Sequence, residues 1–311
     1  MPGSIAHHLL AVEAGIRLRE NGSRLSPRAM GWGAQGPDFL FFHRIISPTP
    51  WRKDYRACGT DMHGIDPDRI FGAMRRYLNR QRGEFATAYT CGFLCHYALD
   101  RTAHPFINRQ TETYRRQVNA ALSSSVAHNL IEAQLDGILL RRMLRMNPRD
   151  YDPRWFLSDD PALLREQAAL MLSVLRELYP ARLFDAETVE QAYRDMRRVL
   201  GMIHDRSGHW RQIVAAAEKA LHAPPGVSTL MRTASPVGSF DYANERRVPW
   251  IYLGDESRRS SESFFDLFAR ALDDALTLID GFTRSLTEGE PAESLTGKLT
   301  FGTGTIYEET R

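Results

Sequence analysis

Seven of the ten histidines, His7, His8, His43, His63, His96, His104 and His128, fall within the first 128 residues. Two of them have a carboxylate one helical turn further on: His96 with Asp100, and His128 with Glu132. His104 stands four residues beyond Asp100. Positions four apart on an α-helix lie on one face. The His96–Asp100 face runs back through Gly92, Tyr89 and Phe85, all small or apolar, so the imidazole and carboxylate look into the protein. A buried carboxylate left unpaired costs roughly 3–5 kcal/mol. A divalent cation removes that penalty. Imidazole nitrogen and carboxylate oxygen together suit zinc better than calcium or magnesium. The spacing therefore predicts a buried metal cluster. The plainer reading, imidazoles hydrogen-bonded to aspartates on a solvated face, explains one pair more easily than two pairs with further histidines nearby. Asp136, four beyond Glu132, has drifted about 80° around the helix from His128 and is better placed to orient a ligand than to bind metal.

The elements that must carry these residues read as helices. Residues 4–20 form one, with Ser4 as its cap and Leu9, Val12 and Ile16 on one face. Residues 22–65 read as a long loop rich in glycine, proline and aromatics, and a loop of that length is usually functional. Asp66–Pro67 starts a helix bearing Ile70, Phe71, Met74 and Leu78. The next runs from Glu84 to about His104, where Pro105 disfavours helix in the preceding residue. Further helices are expected at 112–146, after Asp160–Pro161 to about 179, over 186–222 with a break at Ser207–Gly208, and at 261–286. A mixed segment separates the last two. The expectation is an all-α, multi-helical domain over residues 1–311: a metal-site half (1–150), a helical C-terminal half (151–290) and a polar tail (291–311). The zinc cluster would lie among the helices at 4–20, 84–104 and 112–146.

The chain is long and apolar enough for a full core. Its formal charge of +2 gives no argument for a nucleic-acid partner. Cys58, Cys91 and Cys95 are too few and wrongly spaced for a disulfide framework. Cys91 and Cys95 fit helix packing better than soft metal ligation. With no signal-peptide pattern and no apolar run of about twenty residues, a cytoplasmic protein without a transmembrane segment is expected. His204, His209 and His222 lack a matching carboxylate and read as structural. His43 and Arg44 read as surface or loop residues. Phe39 to Phe42, with Trp32 and Trp51, form either core or an apolar wall for substrate, core being the commoner outcome for such runs.

Several stretches taken together carry a resemblance. They are Ala6-His7-His8-Leu9, Gly33-Ala34-Gln35-Gly36-Pro37-Asp38, Met62-His63, Gly92 to Asp100, and His128 with Glu132. In order and spacing they resemble the bacterial zinc-dependent phospholipase C family, which is related to single-strand zinc nucleases. The likeness is clearest over residues 5–136, with a fainter echo in Asp241–Asn244 and around Ser263–Phe264. It implies an all-helical fold holding two zinc ions, with room for a third. His63, His96 and Asp100 would hold one, Asp100 bridging to a second. His104, His128 and Glu132 would hold another, and His7, in preference to His8, would serve the third. Asp38 would be the general base. The chain departs from the secreted members in the spacing of His104 from Asp100 and in its position before Pro105. From its opening residues no cleavable leader that would free an N-terminal ligand is expected.

The activity implied is hydrolysis of a phosphodiester, in a phospholipid or a small molecule, by zinc-activated water. Asp61 and Asp136 are the acceptors expected to orient ligand imidazoles. Transient contact with a membrane fits such a substrate. The alternatives are a nuclease-like phosphodiesterase and a non-catalytic helical protein braced by structural zinc. A di-iron oxidase would need paired Glu-x-x-His motifs, and none is present among the proposed ligands.

Overall fold

Three helices begin with the same device. In Ser26–Pro27, Asp66–Pro67 and Asp160–Pro161 the first residue's side chain accepts a backbone N–H, from Ala29 at 3.4 Å, Asp68 at 3.0 Å and Ala162 at 2.9 Å. The proline, which has no N–H to leave unsatisfied, takes the first helical position. The computed structural model describes residues 3–46, 55–223, 225–253, 255–289 and 294–308. Among these there are eleven α-helices, two short 3₁₀ turns and one two-stranded hairpin, so the fold is all-α. No helix among them is long and apolar enough to cross a membrane.

The chain divides into two compact units, each assembled from separated segments. The larger takes residues 7–102, 155–199 and 270–311. It contains α1 (Ser4–Glu20) from His7 onward, α2 (Pro27–Gly33), a 3₁₀ turn (Gly36–Phe42), α3 (Arg56–Gly64), α4 (Pro67–Arg80), and α5 (Glu84–Gln117) as far as Thr102. It also contains α7 (Pro161–Leu178), α8 (Ala186–Met202) up to Val199 and most of α11 (Phe264–Glu288). Its core is aromatic. Trp32, Phe39, Phe71, Tyr89, Phe93, Tyr193 and Phe282 are fully buried, each contributing on the order of 2–3 kcal/mol. Polar edges inside that core are satisfied: Trp32 Nε1 donates to Ser158 O at 2.8 Å, and the Tyr89 and Tyr193 hydroxyls meet at 2.7 Å. Gly33 and Gly92 allow α2 and α5 to touch, since a Cβ on either would stand about 2 Å from a backbone oxygen of the other helix.

The smaller unit takes residues 1–6, 103–154 and 200–269. It holds the rest of α5, α6 (Ser124–Met143), α9 (His209–Ala220), α10 (Gly226–Leu230), and strands β1 (Trp250–Tyr252) and β2 (Asp255–Ser260). The strands pair antiparallel with Trp250 opposite Ser260. The first turn of α11 is closed reciprocally: Ser263 Oγ accepts the Asp266 N–H at 3.3 Å while Asp266 Oδ2 accepts the Ser263 N–H at 2.7 Å.

Several expectations are corrected. Residues 22–65 are not one loop, for α2, the 3₁₀ turn and α3 lie within them. The helix bearing His96 does not end at His104. It continues through Pro105 to Gln117. A proline inside a helix costs one backbone hydrogen bond, about 3 kcal/mol. Here it sits among buried residues, with Phe106 packed edge-on against Trp250. The helix expected at 112–146 is broken at residues 118–123, and α6 restarts with Ser123 accepting the Val126 N–H. His43 is buried, edge-on to Tyr55, rather than at the surface. Trp32, Phe39, Leu40 and Phe42 are core. Trp51 lies outside the described residues. The break between α8 and α9 falls where expected, with Gly208 in the left-handed region at φ 79°. All three cysteines are buried and form no disulfide.

Candidate metal centres

In the larger unit four separate elements deliver ligand-type side chains to one place. The first turn of α1 supplies His7, the 3₁₀ turn Asp38, α3 His63, and α5 both His96 and Asp100. Asp100 is the hub. Its Oδ1 lies 3.3 Å from His7 Nε2, and its Oδ2 lies 3.1 Å from His96 Nε2 and 3.6 Å from His63 Nε2. Asp38 Oδ1 is 3.3 Å from His63 Nε2. The His7 and His96 rings stack at 4.1 Å. Two triads have ligand atoms all within 4.8 Å of one another: His7, His96, Asp100 and Asp38, His63, His96. His8, the alternative to His7, points elsewhere, stacking on Phe156 at 4.1 Å, and burial depresses its imidazole to about 3.

The backbone sets which nitrogen faces the cluster. His63 Nδ1 lies 2.7 Å from Gly59 O and His96 Nδ1 lies 3.1 Å from Ala34 O. In each case the ring N–H is directed to a carbonyl, so a neutral imidazole turns its Nε2 lone pair toward the carboxylates. These carbonyls take the role expected of Asp61 and Asp136. Asp61 instead pairs with Arg182 at 3.7 Å. Asp136 accepts the N–H groups of Ala6 at 2.8 Å and Ile5 at 3.3 Å.

A lone pair aimed at a carboxylate oxygen is repulsive unless a proton or a cation lies between. His96 Nε2 is buried and lacks a hydrogen bond of acceptable geometry although Asp100 Oδ2 is 3.1 Å away. This donor set fits a divalent cation with N/O preference such as zinc. Without metal, burial pushes the Asp38 carboxyl up, but the hydrogen bond from His63 and the charge that His96 and His63 carry when protonated outweigh it and hold it below the usual value; a bound cation would take the place of those charges. Gly36, at φ 51°, makes room for the site: a Cβ there would stand 2.2 Å from His96 Cδ2.

The smaller unit holds a third triad, His104, His128 and Glu132. Glu132 Oε1 lies 3.2 Å from His128 Nε2 and 3.7 Å from His104 Nε2. Burial raises the Glu132 carboxyl, but nearby positive charge, that of His128 included, and hydrogen bonds from both histidines hold it well below the ordinary range. Every residue proposed from the sequence as ligand or base thus falls in one of the three triads.

One contributor went unseen in the sequence. Phe301, in the segment read as a polar tail, is fully buried, with its ring 5.5 Å from that of His63 and 6.0 Å from that of His96. Tyr97 Oη anchors this segment by donating to Leu299 O at 2.7 Å. A lone aromatic among threonines and glycines carries no periodicity that would announce it.

An all-helical protein with clustered imidazoles and carboxylates has the donor set of a helical metalloprotein. Its particular family is shown by sequence: the profile described as zinc dependent phospholipase C matches residues 1–176, and the chain belongs to that family. The match includes all three triads. No curated protein and no solved structure matches the chain.

Proposed function

We propose that the protein hydrolyses a phosphodiester bond in a phospholipid-type substrate. The observation that carries this reading is the convergence of His7, Asp38, His63, His96 and Asp100 on one buried place, within the stretch that matches a zinc-dependent phospholipase C family. Those residues would hold zinc, which when bound would supply a nucleophilic oxygen near neutral pH and offset charge growing on the phosphoryl oxygens. The chain's own groups do the rest. His63 and His96 are held to one tautomer by Gly59 O and Ala34 O and present Nε2 as ligand atoms. His96 has only that one atom to offer, whereas Asp100 faces His7 with one oxygen and His96 and His63 with the other, as a bridging ligand would. Asp38, kept ionised, is the acceptor for a proton from the attacking water. His104, His128 and Glu132 would hold a further ion, for two to three in all.

Elemental analysis with a chromogenic phosphodiester assay tests this directly. Two to three zinc ions per chain with turnover is the expected result. One zinc without turnover would replace the proposal with structural metal, and preference for single-stranded nucleic acid would replace the lipid with a nuclease substrate.

A further inference from the structure

Helix α9 is docked the wrong way round for a surface helix of a globular protein. Such helices bury their apolar stripe and show a polar face. None of the residues of α9 is buried. The side chains that fix it are polar. Asp205 accepts the N–H groups of Gly208 at 2.8 Å and Arg211 at 2.7 Å, Arg211 Nε donates to Ser228 O at 3.1 Å, and Glu218 Oε1 accepts the Val227 N–H at 2.7 Å. At 100° per residue, Trp210, Ile213, Ala217 and Leu221 fall on one narrow stripe beside that clamped face. They are left in solvent: Trp210 is 51%, Ile213 57% and Leu221 78% exposed, and Val227, in the following short helix, is 48% exposed.

We propose that this stripe is an interfacial docking surface for an anionic phospholipid bilayer, α9 lying in the headgroup plane with Trp210 and Leu221 inserted. Three observations select a lipid surface as occupant. Residues 205–222 carry three fixed cations, Arg206, Arg211 and Lys219, against two carboxylates, Asp205 and Glu218, both tied to backbone amides. Arg206 also faces Asp150 at 3.4 Å, which leaves Lys219 as the outward cation of the helix with no carboxylate paired to it among the described residues. That balance complements anionic headgroups. Tryptophan beside aliphatic residues, with cations on the flanks, is the composition that partitions into an interface. The stripe is only four side chains long, with Val227 beside it, far fewer than the roughly 20–30 residues a side that a stable protein interface engages.

The membrane's place in the protein's work rests on the phospholipid reading, but the docking itself is measured without turnover. Zinc-loaded full-length protein would be sedimented with vesicles of phosphatidylcholine alone and of equal parts phosphatidylcholine and phosphatidylglycerol. Binding to the mixed vesicles, weakened by salt, is expected. Trp210→Ala with Leu221→Glu should weaken it about tenfold, equivalent to about 1.4 kcal/mol, and Trp210→Phe should retain it. Hydrolysis of a soluble chromogenic phosphodiester should be the same in all three proteins. Vesicle binding without that hydrolysis would leave the docking surface standing and remove the proposed activity. Equal vesicle binding by the wild type and the double variant, or no binding by the wild type, would overturn the docking surface. So would a wild-type dimer that the double variant abolishes, which would assign the stripe to a second copy.

Discussion

Asp100 and Asp38 are both carboxylates among imidazoles, yet their surroundings give them different tasks. Asp100 spreads its two oxygens over three histidines, whereas Asp38 faces His63 alone among the close pairs. Asp100→Asn should therefore lower zinc content and activity together. Asp38→Asn should lower kcat by roughly 10²–10⁴-fold while zinc, measured by elemental analysis, stays closer to wild type. Equal zinc loss in both would make Asp38 a ligand first. Asp136 makes a separate prediction. Burial, opposed by the Ala6 and Ile5 amides and by Arg232, raises its carboxyl to about 8, above the ~3.9 of an unfolded aspartate. Folding then takes up a proton. Its stabilising contribution is complete below about pH 4 and drains away as pH climbs through 8. Urea unfolding of the metal-free protein should show Asp136→Asn flattening that slope, and an unchanged slope would show that Asp136 is ionised throughout.

At the scale of elements, legibility followed the strength of local signals. Asp66–Pro67 and Asp160–Pro161 announced α4 and α7 because each precedes a clear apolar period. Ser26–Pro27 carries the same start signal but opens a helix of only seven residues, too short for a period to register. Ser26→Ala should cost about 1 kcal/mol through the lost cap, read as a lower unfolding midpoint. Pro105 misled in the opposite direction, since tertiary packing around Phe106 outweighs the local preference to stop. Phe301 shows the limit of sequence reading, because its importance depends on which helix the C-terminal segment packs against. Phe301→Ala should destabilise the fold by about 3–5 kcal/mol and loosen His63 and His96. The expected readout is a lower melting temperature with reduced zinc retention during dialysis.

For the molecule as a whole, His96, Asp100, His104, His128 and Glu132 were legible from their helical spacing, whereas His7, Asp38 and His63 entered only through the family resemblance, because they come from separate segments with no local period to mark them. The grouping of His104, His128 and Glu132 was expected as well and is found. The closeness of His7 to Asp100, ninety-three residues apart, and of Asp38 to His63 was not, since it depends on how distant segments pack. Removal of metal should leave like charges and opposed lone pairs confined in buried places. Exhaustive dialysis against a chelator is expected to lower the melting temperature and abolish phosphodiesterase activity, with zinc restoring both. A melting temperature indifferent to chelation would show that the triads are held by protons and not by metal.

The seclusion of Cys58, Cys91 and Cys95 has a practical corollary. Burial drives the Cys91 thiol up to about 12 and Cys95 higher still, so neither offers a thiolate to reagents at neutral pH. Cys58, with Arg182 Nη1 3.0 Å from its sulfur, is shielded by its burial alone. Native protein should therefore react slowly with maleimides, and Trp210→Cys would carry the only solvent-exposed thiol. A polarity-sensitive dye attached there would report from a single known position, with no need to remove the natural cysteines first.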